Sequence, residues 1–155
     1  MVLFAFALTA LLLALLLVDS RIVGFRHVEA ADDATSDGKP LAVEKSMHEF
    51  MEYYFQPTYL RLKSTMAAAP ADNQGWKAIK SDSLILAEGG NLLLGRKDPA
   101  KWNEFSIAVR ESGHELYRFA RKKDFAQARQ AYERMLTNCN SCHKQFAGGK
   151  HILAP

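Results

Sequence analysis

The chain has 155 residues, 48% of them hydrophobic and 24% charged, enough for one compact domain with a sizeable core. Its formal net charge is +3 and no Lys/Arg-rich run occurs, so nucleic-acid binding has no support. Two cysteines allow one intrachain disulfide at most, and no internal repeat is present.

The first elements in chain order concern targeting. Val2 to Val18 holds no charged residue and is dominated by Leu and Ala, so residues 1–30 read as a signal peptide or an N-terminal membrane anchor. Val28 and Ala30 suit cleavage after Ala30, whereas no Lys or Arg precedes the apolar run. Both readings take the chain out of the cytoplasm, to a periplasmic location that is either soluble or tethered. Membrane contact is expected only if the segment stays uncleaved. Residues 31–39 are polar and acidic and read as a flexible tether. Residues 40–149 carry helical periodicity without strand alternation, and residues 150–155 are left as a C-terminal tail.

Helix 1 is expected from about Pro40, with Val43, Met47, Phe50, Met51, Tyr54, Thr58, Leu62 and Met66 on one apolar stripe. Pro57 lies inside that stripe and predicts a kink or two abutting segments, because it lacks an N–H and crowds the preceding turn. Helix 2 follows from Asp72 or Asn73 to Leu94, weakened in its middle by Gly89-Gly90. Asp98-Pro99 opens helix 3, where Trp102, Phe105, Val109, Ser112, Leu116 and Phe119 repeat at three- and four-residue steps. Helix 4 opens at Asp124 and carries Phe125, Ala128, Tyr132, Met135, Cys139, Cys142 and Phe146 on its stripe, with Gly148-Gly149 closing it. Four helices of this length with short connections predict an all-α, antiparallel four-helix bundle.

Cys139-Asn140-Ser141-Cys142-His143 carries the chemistry. Cys-x-x-Cys-His is the attachment signature of c-type haem. On a helix, residues three and four apart share a face, so two thiols can reach one edge of a porphyrin while His143 projects towards its iron. One covalent haem c is therefore expected near the C-terminal end of helix 4, with Cys139 and Cys142 as thioether donors and His143 as the proximal ligand. A structural zinc site would need a second ligand pair, and a thioredoxin-like motif would need strands; neither is present in the sequence pattern. A Cys139–Cys142 disulfide in a non-haem helical protein remains the third alternative and leaves His143 without a role.

A four-helix bundle with a single Cys-x-x-Cys-His near the end of its last helix resembles the cytochrome c′ family, over about residues 40–149. The resemblance implies a haem inside the bundle with its distal face against helix 1, where an apolar side chain leaves the iron five-coordinate and a Met completes six-coordination. Met47 is then the candidate distal ligand, with His48 the weaker alternative, and Phe50 or Met51 would shield an open iron. Arg134 and Lys144 are candidate partners for the haem propionates, against an ordinary solvated role. Tyr53, Phe55 and Tyr59 either pack on helix 2 or form a homodimer surface, and the resemblance implies dimerisation through the first two helices. The expected function is electron transfer with a redox partner protein. The alternative is binding of nitric oxide or carbon monoxide at an open iron. No acid–base or nucleophile constellation suggests an enzyme.

Overall fold

The computed structural model describes residues 41–97 and 100–155. The leader expected over residues 1–30 and the tether over 31–39 lie outside the described residues, as do Asp98 and Pro99. All regular structure among the described residues is helical. Helix α1 is continuous but changes register, being α-helical over Met47–Phe50, π-helical over Met51–Phe55 and α-helical again over Gln56–Thr65. Helix α2 is Asn73–Leu93, α3 is Ala100–Lys122 and α4 is Phe125–Phe146.

Helix α1 begins at Met47 rather than near Pro40. Ser46 caps it: its Oγ accepts from the Glu49 N–H at 3.3 Å, and its own N–H donates to the Glu44 carboxylate at 2.6 Å. A side chain that satisfies a first-turn donor marks the start of a helix, and the residues before it stay out of the helix. Val43, expected on the stripe, is accordingly 98% exposed.

The irregularity expected at Pro57 takes the form of the π turn. Gln56 donates its N–H to the Met51 carbonyl, five residues back. Pro57 has no N–H to give, and its ring would press on the carbonyl four residues earlier. Widening the preceding turn by one residue relieves that conflict.

Asp72 caps α2 by accepting from Gly75 N–H at 2.8 Å, and Asp124 caps α4 by accepting from Gln127 N–H at 3.1 Å. Helix α2 runs unbroken through Gly89-Gly90. These glycines are places of close approach rather than weak points. A Cβ on Gly90 would lie 2.8 Å from the Arg110 nitrogen, and one on Gly113 would lie 3.0 Å from the Ala87 nitrogen. Backbone meets backbone where α2 crosses α3.

Successive helices are antiparallel. Between α2 and α3, Ala87 faces Gly113, Gly90 faces Arg110, and the Trp102 indole N–H donates to the Leu93 carbonyl at 2.7 Å. The same reversal holds for α1 with α2, where Tyr54 hydroxyl donates to Ile85 carbonyl and Arg61 pairs with buried Asp82 at 2.8 Å. It holds again for α3 with α4, where Asn138 donates to Ser112 and Arg134 pairs with Glu115.

No Cα pair between α1 and α4 lies within 8 Å, so the seam between them is filled by side chains and not closed by backbone. The main core occupies it: Leu62 and Met66 from α1 meet Ile79, Leu116, Tyr132 and Met135, all fully buried. Each such side chain contributes about 1.5–3 kcal/mol by leaving water. A second cluster gathers Phe50, Leu93, Trp102 and Cys142, with Met47, Met51, Tyr54, Phe105 and Phe146 packed around it. Phe55 touches both clusters, and Tyr59 packs on the main core. Of the three aromatics that either pack inward or form a dimer surface, Phe55 and Tyr59 are half-buried and Tyr53 is exposed.

Candidate functional site

The last two turns of α4 place Cys139, Cys142 and His143 side by side, as their spacing requires. Neither cysteine is in a disulfide. Cys139 is half-buried against the main core, and Cys142 is buried in the aromatic cluster. Burial pushes the Cys139 thiol up to about 12, and the neighbouring Cys142 adds to this. Burial also raises the Cys142 thiol, opposed by the charge of Lys97. Reactive thiols in exchange motifs sit in electropositive surroundings that favour the thiolate. Burial raises both thiols here, the opposite of those surroundings.

His143 is half-buried, and its Nδ1 lies 2.8 Å from the His151 carbonyl oxygen. A carbonyl only accepts, so Nδ1 carries a proton, and the neutral tautomer compatible with this contact keeps its lone pair on Nε2. Metal-ligating histidines are commonly fixed in this way through their second nitrogen.

The chain beyond α4 makes this contact possible. Ala147 and Gly149 N–H groups both donate to the His143 carbonyl, at 2.9 and 3.1 Å, and Gly148 and Gly149 take positive φ values of 61° and 74°. Only glycine adopts that conformation freely, and the doubled bond is a helix-ending turn. His151 has φ +60°, and from there the segment runs back over α4 and α1. Asn140, inside the Cys-x-x-Cys-His motif, donates to the Leu153 carbonyl at 2.9 Å and accepts from the Leu153 N–H at 2.8 Å. Tyr59 hydroxyl donates to the Ala154 carbonyl at 2.7 Å, and Leu153 packs on the main core. The residues read as a C-terminal tail are thus fastened to the motif.

Met47 and Met51 both border the cluster that holds Cys142, each half-buried, while Phe50 between them is 7% exposed. His48 points elsewhere: its side chain is 72% exposed, with Nε2 3.4 Å from Glu52. His48, Glu49 and Glu52 bring three ligand-type atoms within 4.8 Å of one another on that exposed face. Acidic groups at one-turn spacing gather so on many solvated helices.

Arg134 is engaged by Glu115 at 2.7 Å and lines an open groove with Glu111, His114, Arg118 and Asn138, on the α3–α4 face. Lys144 is exposed. Three other cations stand over the aromatic cluster instead. Arg96 stacks 3.8 Å from the Phe50 ring centre, Lys97 lies 5.4 Å from that of Trp102, and Lys101 5.7 Å from that of Phe105. Arg96 is held in place by the Leu92 and Glu44 carbonyls, at 2.7 and 2.8 Å. Sequence proximity to the motif pointed to Arg134 and Lys144. Arg96, Lys97 and Lys101 are remote from it in sequence and reach the aromatic cluster through the fold.

The donor set suits a covalently held haem. It comprises two unpaired thiols on one face, an imidazole with a bare Nε2, and adjoining flat apolar side chains under a positive rim. Compared with known proteins, the chain matches no family model and no curated protein.

Proposed function

We propose that this chain is an exported monohaem c-type cytochrome that passes electrons to and from a redox partner protein. The observation that carries the reading is the turn bearing Cys139, Cys142 and His143, with both thiols unpaired and the imidazole anchored through Nδ1. The thiols would hold the group by two thioethers, and His143 Nε2 would ligate its iron. When bound, the haem supplies one-electron chemistry at potentials set by ligand identity, hydrogen bonding and burial. The chain's own part would be to fix the imidazole, to offer the Phe50–Trp102–Phe146 cluster to the ring and to meet its acidic groups with Arg96, Lys97 and Lys101. Met47, which borders the cluster holding Cys142, would supply a thioether to the iron, a donor type that favours the reduced state.

A five-coordinate, gas-binding site is the second reading. It is favoured by the burial of Phe50, an apolar side chain that lies deeper in the cluster than either flanking methionine.

Expression of the whole chain with a cytochrome c maturation system tests the proposal. After acid–acetone extraction the pigment should remain with the protein and give thioether-type pyridine haemochrome bands, lost in the double variant Cys139→Ser, Cys142→Ser. Extractable pigment, or none, refutes it.

A further inference from the structure

We infer that the segment following α4 is a positioning strap for the proximal imidazole, clamped by Asn140 and Tyr59, and that it tunes the iron towards the oxidised state. This rests on the haem reading above and specifies what controls that site.

The strap is fastened at three points. Near His143, the helix-ending turn ties the Ala147 and Gly149 N–H groups to the His143 carbonyl. Further on, Asn140 bonds both polar groups of the Leu153 backbone, a two-point clamp that sets position and orientation together. Beyond it, Tyr59 hydroxyl both donates to Ala154 carbonyl at 2.7 Å and accepts from Ala154 N–H at 3.2 Å. Leu153 fixes the depth by packing on the main core. Between the turn and the clamp lies His151 in a left-handed backbone conformation that is uncommon for a non-glycine residue. That conformation accompanies the delivery of its carbonyl to His143 Nδ1 at 2.8 Å.

A carbonyl accepting from Nδ1–H fixes the ring's tautomer and plane and makes Nε2 a stronger donor. A stronger donor favours ferric over ferrous iron, so the strap should lower the potential. Asn140 therefore has a role distinct from that of a spacer between two cysteines. It holds the segment that orients the ligand three residues away.

The test compares the whole haem-loaded chain with Asn140→Ala, with Asn140→Ala plus Tyr59→Phe, and with His151→Gly. Three measurements are made on each: haemochrome yield, amide exchange of the Leu153 N–H, and reduction potential. The double variant should accelerate Leu153 exchange by about tenfold or more. It should also shift the oxidised-to-reduced ratio towards reduced iron by up to about tenfold, which is about 59 mV for one electron. Asn140→Ala should move both readouts part of the way. His151→Gly keeps the carbonyl and relieves the backbone strain, so its potential should match the wild type. Faster exchange with an unmoved potential overturns the tuning role, and unmoved exchange in the double variant overturns the clamp. In both cases an intact wild-type haemochrome leaves the cytochrome reading standing. A wild type without thioether-bound haem sinks that reading, and the strap's role with it.

Discussion

Replacing Gly90 by Ala should destabilise the protein although Ala is the better helix former. Two effects compete. Ala in the interior of α2 gains about 1 kcal/mol over Gly from backbone entropy. Against it, the new Cβ would lie 2.8 Å from the Arg110 nitrogen and Cβ and 2.9 Å from its Cα. Carbon atoms rest at about 3.5–4.0 Å, so α2 and α3 would have to part by roughly 1 Å. The obstructing atoms are main chain and Cβ, which no rotamer change can move aside. Such overpacking costs about 1–3 kcal/mol, and a helix-on-helix displacement belongs at the upper end. The net loss is about 2 kcal/mol, or roughly 6–10 °C in Tm for a domain of this size. Urea unfolding should show a lower midpoint with an unchanged slope. Gly95→Ala is the control, since nothing lies within 4 Å of its Cβ position and only its φ of 73° resists the change. A Gly90→Ala protein as stable as the wild type, or more so, would show that propensity wins and that the crossing is not as close as described.

Two further outcomes follow from the site and the core. Met47→Ala should convert a low-spin, carbon monoxide-resistant haem protein to a high-spin one that binds the gas, whereas Met51→Ala should leave coordination intact; a wild type that already binds carbon monoxide readily returns Met47 to the core and favours the Phe50-shielded site. Tyr132 is fully buried, and its hydroxyl is the one buried side-chain polar atom without a hydrogen-bond partner among the described residues. Burial pushes its phenol up to about 12, so the folded state keeps a proton that the unfolded chain loses above about 10. Stability from this group is therefore complete below pH 10 and falls as pH rises towards 12, by up to about 3 kcal/mol. Tyr132→Phe should abolish that part of the alkaline loss and add about 1 kcal/mol at neutral pH; urea midpoints at pH 8 and 11 check both, and a less stable Phe variant at pH 8 would mean the hydroxyl is satisfied.

Much of the bundle was legible because helix periodicity reports burial directly. The α3 stripe from Trp102 to Leu116 and the α4 stripe from Ala128 to Cys142 face inward as their three- and four-residue steps require. The start of α1 was legible too, but through a different signal: Ser46-Met47-His48-Glu49 has the Ser-x-x-Glu spacing of a capping box. Apolar periodicity from Val43 onward hid it. Gly89-Gly90 read as weakness because propensity is a property of one helix, whereas close approach depends on the neighbour. The strap was not legible at all. Asn140 and Leu153 are thirteen residues apart, Tyr59 and Ala154 ninety-five, and no local pattern announces a bond from a side chain to a distant backbone group.

The π turn at Met51–Phe55 amounts to one additional residue accommodated within a helix, and this gives α1 an unusual tolerance to length changes. Elsewhere in the bundle, deleting a residue would rotate everything beyond it by about 100° and turn a buried face outward. Deleting one residue within 51–55 would instead return the helix to ordinary α register and keep Phe50 and Leu62 on their present faces. Pro57 stands in the way, since an α-helical path sets its ring against the carbonyl four residues before it. The deletion and the proline are therefore coupled: a shortened α1 should be more stable with Pro57→Ala than with Pro57 kept.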